Sequence, residues 1–248
     1  MVAASAFALA SSNAFAIVGG GAPAGAEGIG RSVVIVTGSR GNVCTGALIA
    51  PTVVLTAAHC TGPGLSYRVL DPHAKEPRAV QVRQAATHPK FDMRTMLAHR
   101  ATADVALLRL PAPLPGRETV ATGLPRFPIP REARFTVAGI GVTASGSDAG
   151  VGKLRVVSLG VTGQPGTLQM RLVDPLTQNR RAGLGACTGD SGAPVFEQRG
   201  NDAVLVGVVS WSTAPNNDAG CGGLTGVTPL TLYRDWILST ARSWGAGL

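Results

Sequence analysis

Between Ser32 and Gly141 the chain alternates short apolar runs with turn residues, and this rhythm restricts the fold more than any other feature. SVVIVTG, TGALIAPTVVLTAAH, YRVLD, AVQVRQAATH, ADVALLRLP and FTVAGIG follow one another, bounded by Gly, Pro, Asn or Asp. Each run is of strand length and rich in β-branched residues, which favours strands over helices. A second set follows in LRVVSLGVTG, TLQMRLVD, APVFEQ, AVLVGVVSW and LTGVTPL. Two sets of about six strands predict an all-β chain built as two barrels or sandwiches. The 33 Gly and 17 Pro among 248 residues agree, since both weaken helix interiors. The one convincing helix pattern comes last: from Thr231, Leu232, Trp236 and Ser239 or Thr240 recur at helical spacing, with Tyr233, Ile237 and Leu238 widening the apolar face. The proline-rich segment LPRFPIPREAR, residues 124–134, is the best candidate link between the halves.

The first 16 residues, MVAASAFALASSNAFA, carry no charge and end in Ala14-Phe15-Ala16, the small-x-small pattern that signal peptidase accepts. They are expected to direct export, although no Lys or Arg precedes the apolar part and Ser11, Ser12 and Asn13 dilute it. The segment is too short and polar to span a bilayer, which takes about 20 apolar residues, and no later stretch does so either. The expected domains are therefore a signal peptide at 1–16 and two β halves at 17–125 and 126–248.

Four cysteines, Cys44, Cys60, Cys187 and Cys221, read as disulfides in an exported chain. A four-cysteine zinc site is the competing reading, but none of the four has the close C-x-x-C spacing such sites favour. The net charge of +8 comes mostly from Arg, 19 of the 22 basic residues, yet these are scattered rather than clustered. Nucleic-acid binding needs a basic patch with stacking aromatics, so it is not expected.

The most informative stretch is ACTGDSGAPVF, residues 186–196. A serine held between glycines can occupy a tight turn that exposes its hydroxyl, and the backbone N–H groups of Gly189 and Ser191 can converge there as an oxyanion hole. A serine hydroxyl is a weak nucleophile, so it needs a base and a group to orient that base. His59 in LTAAHC and Asp104 in TADVALLRL supply both. Asp104 enters an otherwise apolar strand, where its burial would be costly without a hydrogen-bonded partner. An α/β-hydrolase esterase would show G-x-S-x-G and the order Ser, Asp, His; here the order is His, Asp, Ser, and Ala193 stands where that elbow needs glycine.

IVGG at 17–20, TAAHC at 56–60, DVALLRL at 104–110 and GDSGAP at 189–194, in this order and spacing, resemble the trypsin-chymotrypsin family of serine endopeptidases. The resemblance runs from Ile17 to the last helix. It implies two six-stranded antiparallel Greek-key barrels, with the active site between them and a C-terminal helix. It further implies Ser191 as nucleophile, His59 as base and then acid, Asp104 as its orienting carboxylate, and Gly189 and Ser191 as oxyanion donors. The cysteines would pair as Cys44 with Cys60 and Cys187 with Cys221. Two departures stand out: Ala193 replaces a usual glycine, where its methyl is expected to crowd the turn, and Gly139-Ile140-Gly141 replaces G-W-G. The absence of further bridges suits a microbial-type member.

In the family the specificity pocket has its floor six residues before the nucleophile, here Gly185, with Ala186, Thr188, Ser210, Trp211, Ser212 and Gly226 around it. Without a carboxylate at the floor, a buried Arg or Lys of the substrate would be left unpaired. Uncharged apolar side chains of medium size are therefore expected at the cleaved position. Family members are switched on when the amine of the IVGG isoleucine pairs with the Asp before the nucleophile. That implies Ile17 and Asp190 here, with Ile17 as mature N-terminus and one cut after Ala16 serving both export and activation. The resemblance implies polypeptide substrates, protein inhibitors as a further partner class, a secreted monomer by default, and no metal or organic cofactor.

Overall fold

The computed structural model describes residues 17–19, 21–76 and 78–248, so the expected signal peptide at 1–16 lies outside the described residues. Every apolar run named above forms strand. The first set gives β2 (Val33–Gly38), β3 (Val43–Ala50), β4 (Val53–Thr56), β5 (Tyr67–Leu70), β6 (Val80–Gln81), β7 (Gln84–Thr87) and β8 (Ala106–Arg109). The second gives β9 (Arg134–Gly139), β10 (Arg155–Thr162), β11 (Met170–Val173), β12 (Pro194–Arg199), β13 (Asp202–Ser212) and β14 (Thr225–Pro229). Two elements escape the sequence pattern: the two-residue strand β1 (Ala22–Pro23) and the short helix α1 (Met93–Leu97). The latter is started by Asp92, whose side chain accepts from the Thr95 N–H at 3.0 Å. The expected terminal helix is α2 (Arg234–Ser243), which buries Ile237 and Ala241.

The second set closes on itself. Its strands follow the order β9–β10–β11–β14–β13–β12 and return to β9, a six-stranded antiparallel barrel. The first set runs β6–β5–β2–β3–β4–β8–β7 and stays a curled half-barrel whose two edges do not pair. The edges explain this: β6 has only two residues, and β7 is mostly exposed. They are consecutive halves of one bent segment, in which the Val82 N–H donates to the Tyr67 carbonyl and the Arg83 N–H to the Arg109 carbonyl. In contrast, β3 and β4 are buried almost throughout, which is why they read as continuous apolar runs.

The ends of the chain cross between the halves. Ala22 pairs with Val156 on β10 of the closed barrel, while Arg109 on β8 of the half-barrel donates to the Trp244 carbonyl just beyond α2 at 2.9 Å. One buried cluster joins Val33, Leu55 and Leu107 of the half-barrel to Ile140, Phe196 and Val208 of the barrel and to Ile237 of α2. The halves thus share a core.

Candidate active site

His59 sits in a single 3-10 turn (Ala58–Cys60) directly after β4. The turn is pinned by the Cys44–Cys60 disulfide, which ties it to β3. The two sulfurs and the His59 ring come within 4.8 Å of one another, but both sulfurs are consumed by the disulfide.

Asp104 precedes β8 and is fully buried. Three donors surround its carboxylate. The His59 backbone N–H donates to Oδ1 at 2.9 Å, His59 Nδ1 lies 2.8 Å from Oδ2, and the Ser210 hydroxyl donates to the same Oδ2 at 2.5 Å. The doubled contact fixes the imidazole relative to its own backbone as well as to the acid. Ser210, which the resemblance puts in the pocket wall, also turns its hydroxyl to the acid. A bulge between β13 and β14 places Ser210 between the pairs Val209–Val227 and Trp211–Gly226, and bulges of this kind re-aim side chains beside active sites. Tyr233, at the start of α2, completes the back of the site; burial and then the Asp104 charge raise its phenol pKa.

The Gly189–Gly192 turn presents Ser191. Gly189 has φ +94° and Gly192 φ +77°, values that L side chains resist, and any side chain on Gly192 would strike Thr56, the Thr45 carbonyl and the Ala57 N–H. The nucleophile turn is therefore seated on the segment that leads to His59. Among the described residues no hydrogen bond links the Ser191 hydroxyl to the imidazole. The backbone ties the Ser191 turn to β3, with the Thr45 N–H donating to the Ser191 carbonyl at 2.8 Å.

Both sequence departures find a physical reason. Ala193 is fully buried among Val137, Val195 and Val209, so its methyl fills barrel core rather than crowding the turn. Side chains at Gly139 or Gly141 would collide with the Asp190 carboxyl, whereas Ile140 between them points into the shared core.

Asp190 is completely buried. Its carboxyl accepts from the N–H groups of Gly141 at 2.8 Å and Cys187 at 2.9 Å, and no cation pairs with it among the described residues. Burial pushes its pKa up to about 7, and the two N–H groups only partly offset that rise. Ile17 is also fully buried, and Val18 forms an antiparallel bridge with Gly185. Gly19 has no room for a side chain against the backbone of Gly183.

The second disulfide joins Cys187 to Cys221, beside several of the positions expected to line the pocket. Gly185 and Ala186 are buried, and the Ala186 N–H donates to the buried Thr225 hydroxyl at 3.0 Å. Thr225 carries no sequence signal beyond its place before Gly226. Thr188 is exposed, while the Ser212 hydroxyl donates to the Gly220 carbonyl at 3.3 Å. Position 185, the expected floor, carries glycine and so no acidic side chain. Trp211 changes the expected shape, because its indole lies directly against Gly226 Cα. The ring stacks on His99 with centroids 4.6 Å apart, and the Arg171 guanidinium lies 6.0 Å from its centroid.

The sequence profile of the family described as Trypsin matches residues 17–237. The chain belongs to the trypsin family. Among curated relatives, a trypsin of Phaedon cochleariae is 30% identical over 213 residues, covering 78% of this chain and 77% of the relative. Trypsin alpha of Drosophila melanogaster is 27% identical over 221 residues, covering 83% and 80%. The solved structure of human heparin binding protein matches with a TM-score of 0.68 at 24% identity, covering 89% of this chain and 95% of that one, a likeness of fold. This trypsin-family chain is a serine endopeptidase, and polypeptides are its substrates.

Proposed function

We propose that the peptidase is exported and cleaves peptide bonds through an acyl-enzyme on Ser191. The Ser191 Oγ attacks the substrate carbonyl while His59 Nε2 takes its proton. An ionised Asp104 only accepts, so it holds the ring hydrogen on Nδ1 and leaves Nε2 free as the base. The Gly189 and Ser191 N–H groups bind the oxyanion. His59 then returns the proton to the departing amine, and water repeats the cycle on the ester to release the acid and free Ser191. The observation that carries this reading is the buried Asp104, bonded to His59 through both ring and backbone beside the turn that bears Ser191.

Selection favours uncharged apolar side chains of medium size at the cleaved position. Gly185, Ala186, Thr225 and Gly226 offer no charge to a buried Arg or Lys, and the Trp211 indole limits depth. Activation is the pairing of a freed Ile17 amine with Asp190. The support is a buried carboxylate without a cation and a buried Ile17 whose neighbour Val18 is already bridged to Gly185. Burying that isoleucine is worth about 2 kcal/mol, which helps to hold the new terminus in place. Two disulfides and the signal-like leader favour secretion.

The test is expression of the mature chain with and without Ser191→Ala, against a panel of peptide amides and a serine-directed phosphonate. Cleavage after apolar residues and labelling are expected only with Ser191 present. An unlabelled, inactive parent protein refutes the mechanism, and a strong preference for Arg or Lys refutes the pocket reading. Terminal sequencing of the secreted enzyme should read Ile-Val-Gly-Gly.

A further inference from the structure

Thr45 lies on β3 of the half-barrel, is fully buried, and belongs to none of the motifs that mark the site. All of its polar functions are engaged. Its N–H donates to the Ser191 carbonyl at 2.8 Å and its hydroxyl donates to the Gly189 carbonyl at 2.8 Å. The hydroxyl oxygen also accepts from the Ile140 N–H at 3.3 Å, and its own carbonyl accepts from the Thr56 hydroxyl at 2.7 Å. The two carbonyls that Thr45 holds belong to the same two residues whose N–H groups face the developing oxyanion.

We propose that Thr45 is a positioning residue for the oxyanion hole, acting from the opposite half of the molecule. This rests on the acyl-enzyme reading above. Gly189, at φ +94°, has no side chain to resist rotation of the adjoining peptide groups, and such a rotation would turn its N–H away from the substrate. The Val142 N–H holds the peptide that carries this N–H by its Thr188 carbonyl at 2.8 Å, and the Thr45 hydroxyl holds the next peptide by the Gly189 carbonyl, so Thr45 supplies the second of the two anchors that fix the glycine between them. Through the Ile140 N–H the same hydroxyl also fixes the glycine pair that grips Asp190. Packing alone does not call for threonine here. A buried strand position accepts Val at equal volume, and a hydroxyl is costly to bury unless it is bonded.

The experiment compares wild type with Thr45→Val and Thr45→Ser on one peptide amide, with active sites counted by phosphonate titration and folding followed by thermal melting. Thr45→Val should lower kcat by about tenfold or more while KM stays within about twofold, because only transition-state stabilisation is lost. A peptide boronate, which mimics the oxyanion, should lose affinity in parallel, and Thr45→Ser should restore kcat to within about threefold. If Thr45→Val does not fold, Thr45→Ala is held to the same criteria. An unchanged kcat per titrated site overturns the proposal, as does a lowered melting point with normal kcat, or a loss confined to KM. A wild type that neither cleaves nor labels overturns the acyl-enzyme reading itself, whereas an active wild type beside an equally active Thr45→Val removes only the role of Thr45.

Discussion

Ser210 and Trp211 are neighbours in sequence, yet they serve two regions in different condition. Ser210 completes the Asp104–His59 pair, in which every carboxylate contact is made before any substrate arrives. Trp211 lies across Gly226, so its ring covers the region that the proposed reading assigns to side-chain selection. One bulge in β13 turns the two side chains to different neighbours, and in the proposed mechanism it separates proton transfer from side-chain choice.

The strongest way to break this separation is at the acid. Asp104→Asn keeps the shape but lets the ring adopt the other tautomer, and kcat on peptide amides is expected to fall by about 10³–10⁴-fold with the order of substrate preference unchanged. A changed preference would mean that the regions are coupled. A smaller effect is expected from Trp211→Ala, which frees the wall at Gly226. It should improve kcat/KM for large apolar side chains relative to medium ones by about tenfold, while the phosphonate labelling rate stays within about threefold.

The smallest effect sharpens the comparison through Asp190, which lies beneath both regions. In uncut protein its folded pKa of about 7 stands above the ordinary carboxyl value of 3.8, so the folded state holds the proton more tightly. The cost of ionising it grows as pH rises from about 4 to 7 and is complete above 7. Uncut Ser191→Ala protein should therefore melt a few degrees lower at pH 8 than at pH 5, once other titrations are matched by an Asp190→Asn control. Release of the Ile17 amine should remove that tilt. Melting curves of cut and uncut forms decide it.

How much of this was legible in the sequence follows from the range over which each cause acts. The strands were visible because β-branched runs between turn residues are local signals, and the candidate residues stood out because His59 and Asp104 interrupt apolar runs and Ser191 sits between glycines. The split of AVQVRQAATH into β6 and β7 was not, since the break at Val82 and Arg83 depends on which neighbours each half finds. The open edge of the half-barrel was hidden for the same reason. Helix α1 is too short for periodicity to show, although Asp92 three residues before Thr95 is a readable cap. Ser210 and Thr45 look like ordinary strand residues, and their roles arise from contacts 106 and 144 residues away in the chain. The resting place of the Trp211 indole is a rotamer choice made by His99, Arg171 and Gly226 together.

The pairing of β1 with β10, and of Val18 with Gly185, has a consequence in time. Val18, Ala22 and Pro23 pair with residues 185, 156 and 155, which are synthesised long after them. A half-made enzyme has no seat for its own beginning. The N-terminal strand can therefore be seated only after the second barrel has been made, which couples the last step of folding to the far end of the sequence.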